Sequence, residues 1–247
     1  MKKLSTSVKI YVGLIVTLAI LAATNVFMPQ GALVPVQELP ASKPVFAFAV
    51  ACIMLIVYGG LGSLGMMLSK KIGFPDLWST TISVRQRLLS PALIGATIGV
   101  FFVLADAILS KFHTLGHIPH PPFPTSLVAS ASAGIGEELI FRLFFISFWL
   151  WLVGNIVLKG KWQNHVFWIV AVGSALAFAL AHFPSIMFLF GLNTIGEIPL
   201  ALIIEIVLLN GTLSIVAAYY FKTYGFLSAV SIHFWVDVVW HVIWGAL

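Results

Sequence analysis

Seven apolar runs punctuate this chain, near residues 8–28, 45–68, 90–110, 128–155, 165–188, 197–221 and 225–246. Each is long enough to cross the roughly 30 Å hydrocarbon layer of a bilayer as a helix. Only 9% of the residues are charged against 60% hydrophobic, and the mean hydropathy is +1.07. A soluble domain of 247 residues could not cover its surface with so few charges. The expected fold is therefore all-α, a polytopic integral membrane helical bundle of about seven transmembrane helices. Residues 1–124 would supply helices 1–3 with their loops and residues 125–247 helices 4–7, in one structural domain overall.

The formal charge of +5 does not point to nucleic acid, because the basic residues fall between apolar runs and not in one patch. The one cysteine, Cys52, sits in a membrane run, which leaves neither a disulfide framework nor a thiolate zinc site. Lys2, Lys3 and Lys9 before the first run resemble the start of a signal peptide. That run is about 18 residues, longer than a usual signal core, so a retained helix or uncleaved anchor is expected. With the N-terminus inside, the inner segments carry Lys2, Lys3, Lys9, Lys70, Lys71, Arg85, Arg87, Lys159, Lys161 and Lys222. The outer segments carry only Lys43 and Lys111, so the positive-inside rule puts the N-terminus inside and the C-terminus outside. Residues 29–44, with Pro29, Gly31, Pro35, Pro40 and Pro44, read as an extended connection. Residues 111–124 hold His113, His117 and His120 among Pro119, Pro121, Pro122 and Pro124. The prolines forbid a helix that would align the histidines on a metal, so they are expected to be solvated.

Within the spans, Glu137-Glu138-Leu139-Ile140-Phe141-Arg142 is the costly stretch, because each charge at membrane depth costs about a few kcal/mol. On a helix, Glu138 and Arg142 are one turn apart and can pair. Glu137 is rotated about 100° away and faces something else. A structural ion pair would account for Glu138 and Arg142; the extra carboxylate points beyond that. His182 follows Phe178 by four residues in the fifth run, and His233, Asp237 and His241 form a polar stripe on the seventh. Polar residues of this kind face a bundle interior. A carboxylate and an imidazole that converge can hold a water and remove its proton, while further donors stabilise an oxyanion. The same Glu, His and Asp residues could instead ligate zinc, and the residue types alone leave both open. Glu205 in the sixth run either borders the cleft or makes an interhelical hydrogen bond, and Asp106 is expected to be interfacial.

Glu137-Glu138-x-x-x-Arg142, Phe178-x-x-x-His182 and His233-x-x-x-Asp237 resemble, in order, motifs one to three of the CAAX-protease and bacteriocin-processing family of intramembrane endopeptidases. The resemblance covers roughly residues 125–246 and makes helices 4–7 the catalytic core. It implies that Glu137 with His182 activates water, that His233 and Asp237 line an oxyanion site, and that Glu138 with Arg142 braces it. If zinc is present, Glu137, His182, His233 and Asp237 are its expected ligands. Family members often carry Asn where this chain has Asp237. An ionised Asp237 would repel an oxyanion, so it must be protonated, bind metal or orient His233.

The expected function is hydrolysis of a peptide bond in or near the bilayer of a bacterial cell membrane, in bacteriocin maturation or self-immunity. The partners are a peptide or protein substrate and the lipid bilayer, with no nucleic acid. A non-enzymatic immunity protein that binds within the membrane, and a proton-coupled transporter, are the rival classes. Topology puts Glu137 and His182 in the outer half of the bilayer, about 10 Å from its edge, which disfavours a cytosolic prenylated substrate. By depth alone His241 lies nearer to them than His233, about 12 Å further out, whereas the motif selects His233.

Overall fold

A computed structural model of the protein describes residues 4–31 and 41–247. Lys2, Lys3, Pro35 and Pro40 lie outside the described residues. Among the described residues, seven helices are long and apolar enough to cross a membrane: α1 (Thr6–Asn25), α2 (Lys43–Lys71), α3 (Arg85–Phe112), α4 (Thr125–Val157), α5 (Gln163–Phe190), α6 (Leu200–Tyr224) and α7 (Phe226–Ala246). Among the described residues there is no strand. The protein is the all-α polytopic bundle that the apolar runs imply, since a lipid-embedded backbone must satisfy its own hydrogen bonds.

The bundle is drawn together by α4, α6 and α7. Leu139, Leu143, Ile146 and Leu150 of α4 pack with Phe167 of α5, Ala217 and Phe221 of α6, and Ala229 of α7 in one buried cluster. The first three helices belong to the same body. Tyr11 of α1 is buried and its hydroxyl donates to the Gly59 carbonyl of α2 at 2.5 Å. Two close approaches set the geometry of α4 and α7. A Cβ at Gly65 of α2 would lie 2.4 Å from the Leu143 carbonyl oxygen, and one at Gly95 of α3 would lie 2.3 Å from the Ile232 carbonyl oxygen. Such small residues let membrane helices touch backbone to backbone. Gly95→Leu should accordingly push α3 from α7, lower thermal stability by about 1–3 kcal/mol or more and displace neighbouring His233. Thermal unfolding in detergent measures this, and an unchanged melting point would contradict the packing.

Three of the helices, α4, α5 and α7, depart from regular α geometry next to the motif residues. In α5, Pro184 lacks the N–H that would bond the Leu180 carbonyl, and the α-helix ends at Ala181 to restart at Phe183, with His182 at the break. In α4 the backbone widens to π-helix over Leu139–Ile146, directly after Glu138. In α7 it does so over Val238–Ile243, directly after Asp237. A straight α-helix would carry His241 about 80° around from His233. With roughly 4.4 residues per turn after Asp237, the π-segment returns His241 to within about 10° of His233. The polar stripe of α7 is straight for that reason.

Candidate active site

Glu138 is fully buried and is the anchor of the site. Its Oε2 stands 3.1 Å from Arg142 Nε one turn on, and its Oε1 stands 2.8 Å from His233 Nδ1 on α7. Arg142 is buried as completely, and its guanidinium lies 4.7 Å from the centre of the Phe178 ring. None of its three nitrogens makes a directed hydrogen bond, so the contact with Glu138 is an ion pair by proximity, supplemented by the aromatic face. The bracing pair therefore does more than hold α4: through Glu138 it fixes the ring of His233.

The other face of His233 looks at two further carboxylates. Nε2 lies 3.7 Å from Glu137 Oε2 and 3.5 Å from Asp237 Oδ2. An imidazolium would donate at both nitrogens. A neutral ring protonated at Nδ1 would turn a lone pair toward both carboxylates unless one carried a proton. His233 Nε2 thus faces two carboxylate groups at once. The Glu137 side chain is 37% exposed, against 10% for Asp237 and 3% for His233, so Glu137 is the member of this set open to a ligand.

His182 has a different tautomer fixed for it. Its Nδ1 lies 2.7 Å from the Phe178 carbonyl oxygen, which can only accept, so Nδ1 carries the hydrogen. A neutral His182 therefore offers a lone pair at Nε2. Phe178, with no exposed surface, packs edge-on to His182 at 4.8 Å, His233 at 5.8 Å and Phe141 at 5.0 Å. It is the hub against which both histidines are set.

Glu137, His182, His233 and Asp237 line one cavity of about 280 Å³. The ion-pair partner of Glu137 there is His233 and not His182. The remaining wall is mainly apolar, including Phe102, Ile186, Leu209, Leu213 and Trp240. His241 lines the same cavity, and its Nδ1 lies 3.0 Å from His120 Nδ1. The motif residue His233 is thus the one that meets the α4 carboxylates, and His241 sits with the loop. His233→Ala is expected to abolish activity while His241→Ala retains most of it, in a peptide cleavage assay. Equal loss in both would extend the reacting centre along the stripe.

Several expectations need correction. The loop histidines are not simply solvated: the His113 side chain is 1% exposed, and His117 is hydrogen-bonded to Asp106 at 2.5 Å. Burial first, opposed by Asp106 and reinforced by His117, pushes the His120 imidazole down to about 4. It is thus neutral at physiological pH and can share a single hydrogen with His241. Asp106 is not interfacial but fully buried. Glu205 is turned away from the cavity toward His113, at 3.9 Å. Asn210, to which the sequence attached no role, lines the cavity and donates from Nδ2 to the Ile206 carbonyl at 2.9 Å. Five residues separate Glu205 from Asn210, about 140° around a helix, so they cannot share a face. Ile206, Leu209, Asn210 and Leu213 repeat at helical spacing, and that face was the available signal.

The zinc alternative requires at least three ligating side chains gathered on one point. Among the described residues no group of three His, Cys, Asp or Glu side chains is placed to hold a metal ion. As arranged here, Glu137, His182, His233 and Asp237 do not form such a group.

Residues 119–239 match the family model described as type II CAAX prenyl endopeptidase Rce1-like. No curated protein and no solved structure matches the chain. All three motifs fall inside the matched segment, and each contributes a residue to one cavity within the membrane spans. Over residues 119–239 the chain is similar to the CAAX-protease and bacteriocin-processing family of membrane endopeptidases, the family that its three motifs resemble.

Proposed function

We propose that this protein hydrolyses a peptide bond with a water activated jointly by Glu137 and His182. The observation that carries the reading is the convergence of Glu137, His182, His233 and Asp237 on one cavity with otherwise apolar walls. His182 Nε2 accepts one hydrogen of the water and the Glu137 carboxylate removes the other as the water oxygen attacks the carbonyl carbon. The carbonyl π electrons move to oxygen, and the oxyanion is met by the Nε2–H of a protonated His233. Glu137 then returns its proton to the amide nitrogen, the C–N bond breaks, and the amine leaves. Asp237 orients the His233 ring from the cavity side as Glu138 holds it from behind, and only a protonated Asp237 would itself donate to the oxyanion.

The substrate favoured is a peptide with an apolar residue at the cleavage site, reached within or beside the bilayer. The matching family model is described as a CAAX prenyl endopeptidase. The positive-inside topology, with Glu137 and His182 in the outer half of the membrane, argues against cytosolic prenylated tails. The setting proposed is therefore a bacterial cell membrane, in maturation of a bacteriocin or self-protection against one. Purified protein in liposomes, incubated with apolar fluorogenic peptides, should cleave them, and Glu137→Gln should not. If Glu137→Gln protects cells from a bacteriocin as well as the unaltered chain does, immunity is by binding and the proteolytic reading is wrong.

A further inference from the structure

Asp106, Glu205 and the three loop histidines take no part in the proposed chemistry, yet they are assembled as closely as the residues that do. Fully buried Asp106 accepts at both oxygens, from His117 Nδ1 at 2.5 Å and from the Ile118 backbone N–H at 3.3 Å. Fully buried Glu205 stands 3.9 Å from His113 Nε2, and neither its oxygens nor the His113 nitrogens have a hydrogen-bond partner. His120 meets His241 at 3.0 Å and lies edge-on to Trp240 at 4.7 Å. The segment between α3 and α4 is thus hydrogen-bonded to α3 and to α7, with His113 packed beside Glu205 of α6. Buried carboxylates at this depth are costly, and a simple connection would not need them.

What the fastening holds is a piece of the cavity. Ile118, Pro119 and Pro121 line it together with Glu137 and His182. Ile118 packs against the cluster containing Phe102 and Trp240 and against the one containing Phe183 and Ile186. The Asp106 clamp acts on the residue that bridges the two clusters. His117, on the other side of the clamp, is 56% exposed at its side chain, so it contributes its hydrogen bond and little packing.

We infer that Asp106 is a positioning residue for substrate selection: by clamping His117 and Ile118 it sets the Ile118-Pro119-Pro121 wall and so the apolar side chain the cavity admits. The selection role rests on the endopeptidase reading, whereas the clamp itself can be measured without proteolysis. Ile118→Cys in a Cys52→Ser background reports the wall through its rate of labelling by a water-soluble maleimide in detergent. Adding Asp106→Ala or His117→Ala should accelerate labelling roughly tenfold or more, the scale on which one charge-assisted hydrogen bond shifts a local opening. Asp106→Asn, which keeps an acceptor for the Ile118 N–H, should fall between. If Asp106→Ala does not fold, exposed His117→Ala still decides the matter. In cleavage assays the same clamp variants should raise KM several-fold for peptides suited to the unaltered cavity, admit bulkier apolar residues, and leave kcat within about twofold. Unchanged labelling in Asp106→Ala and His117→Ala would overturn the clamp. Faster labelling with a fall in kcat at constant KM would overturn the selection role. A chain that cleaves nothing in any form would remove the endopeptidase reading and the selection role together, with labelling still deciding the clamp.

Discussion

Glu137→Gln should fold and melt as the unaltered protein does while cleavage falls by roughly 10²–10⁴-fold, the contribution of a positioned general base. Gln keeps the shape of the side chain and loses the proton acceptor. Its effect on the fold should be small because Glu137 is the most exposed member of the cluster and is not the partner of Arg142. The nearest cation-capable group, His233, retains Glu138 at 2.8 Å and Asp237 at 3.5 Å. Steady-state kinetics with a fluorogenic peptide and thermal unfolding in the same detergent give both readouts. Activity surviving within tenfold would move the base to another residue, with Asp237 the next candidate.

Glu138→Ala and Arg142→Ala should instead lose stability, by about 3–5 kcal/mol each, because each leaves a partner charge buried without its counter-ion. The two are not equivalent. Glu138→Ala strands Arg142 and also frees the His233 ring, so its residual folded protein should be inactive. Arg142→Ala leaves Glu138 still bonded to His233, so any folded protein should retain some cleavage. The double variant should be less damaged than the sum of the two, since removing both partners leaves no orphaned charge. Melting in detergent tests all three, and a single variant that melts like the unaltered chain would remove the brace from the account.

Much of this protein is legible in the order of its residues. Run length places seven helices, because a membrane span cannot be anything but helix at that length. The pairing of Glu138 with Arg142 follows from the 3.6-residue repeat, which fixes neighbours within one helix. The inward facing of Glu137, His182, His233 and Asp237 follows from the cost of exposing them to lipid. Other features are set by approach between helices. Which carboxylate meets His233 depends on how α4 and α7 cross, and Gly134 of α4, where a Cβ would lie 3.2 Å from the Phe234 backbone nitrogen, permits a close approach that no spacing rule contains. The π-segments after Glu138 and Asp237 re-aim the residues that follow them, so a stripe counted at regular α spacing misplaces His241. Asp106 reads as interfacial and Glu205 as either a cleft acid or an interhelical partner; both are buried beside a loop whose histidines read as solvated. Contacts made along one helix axis can be counted from the chain, because covalent geometry holds their distance. Contacts between helices, and the loop that closes the cavity, come from packing in three dimensions, because there the distance is set by side chains far apart in the chain.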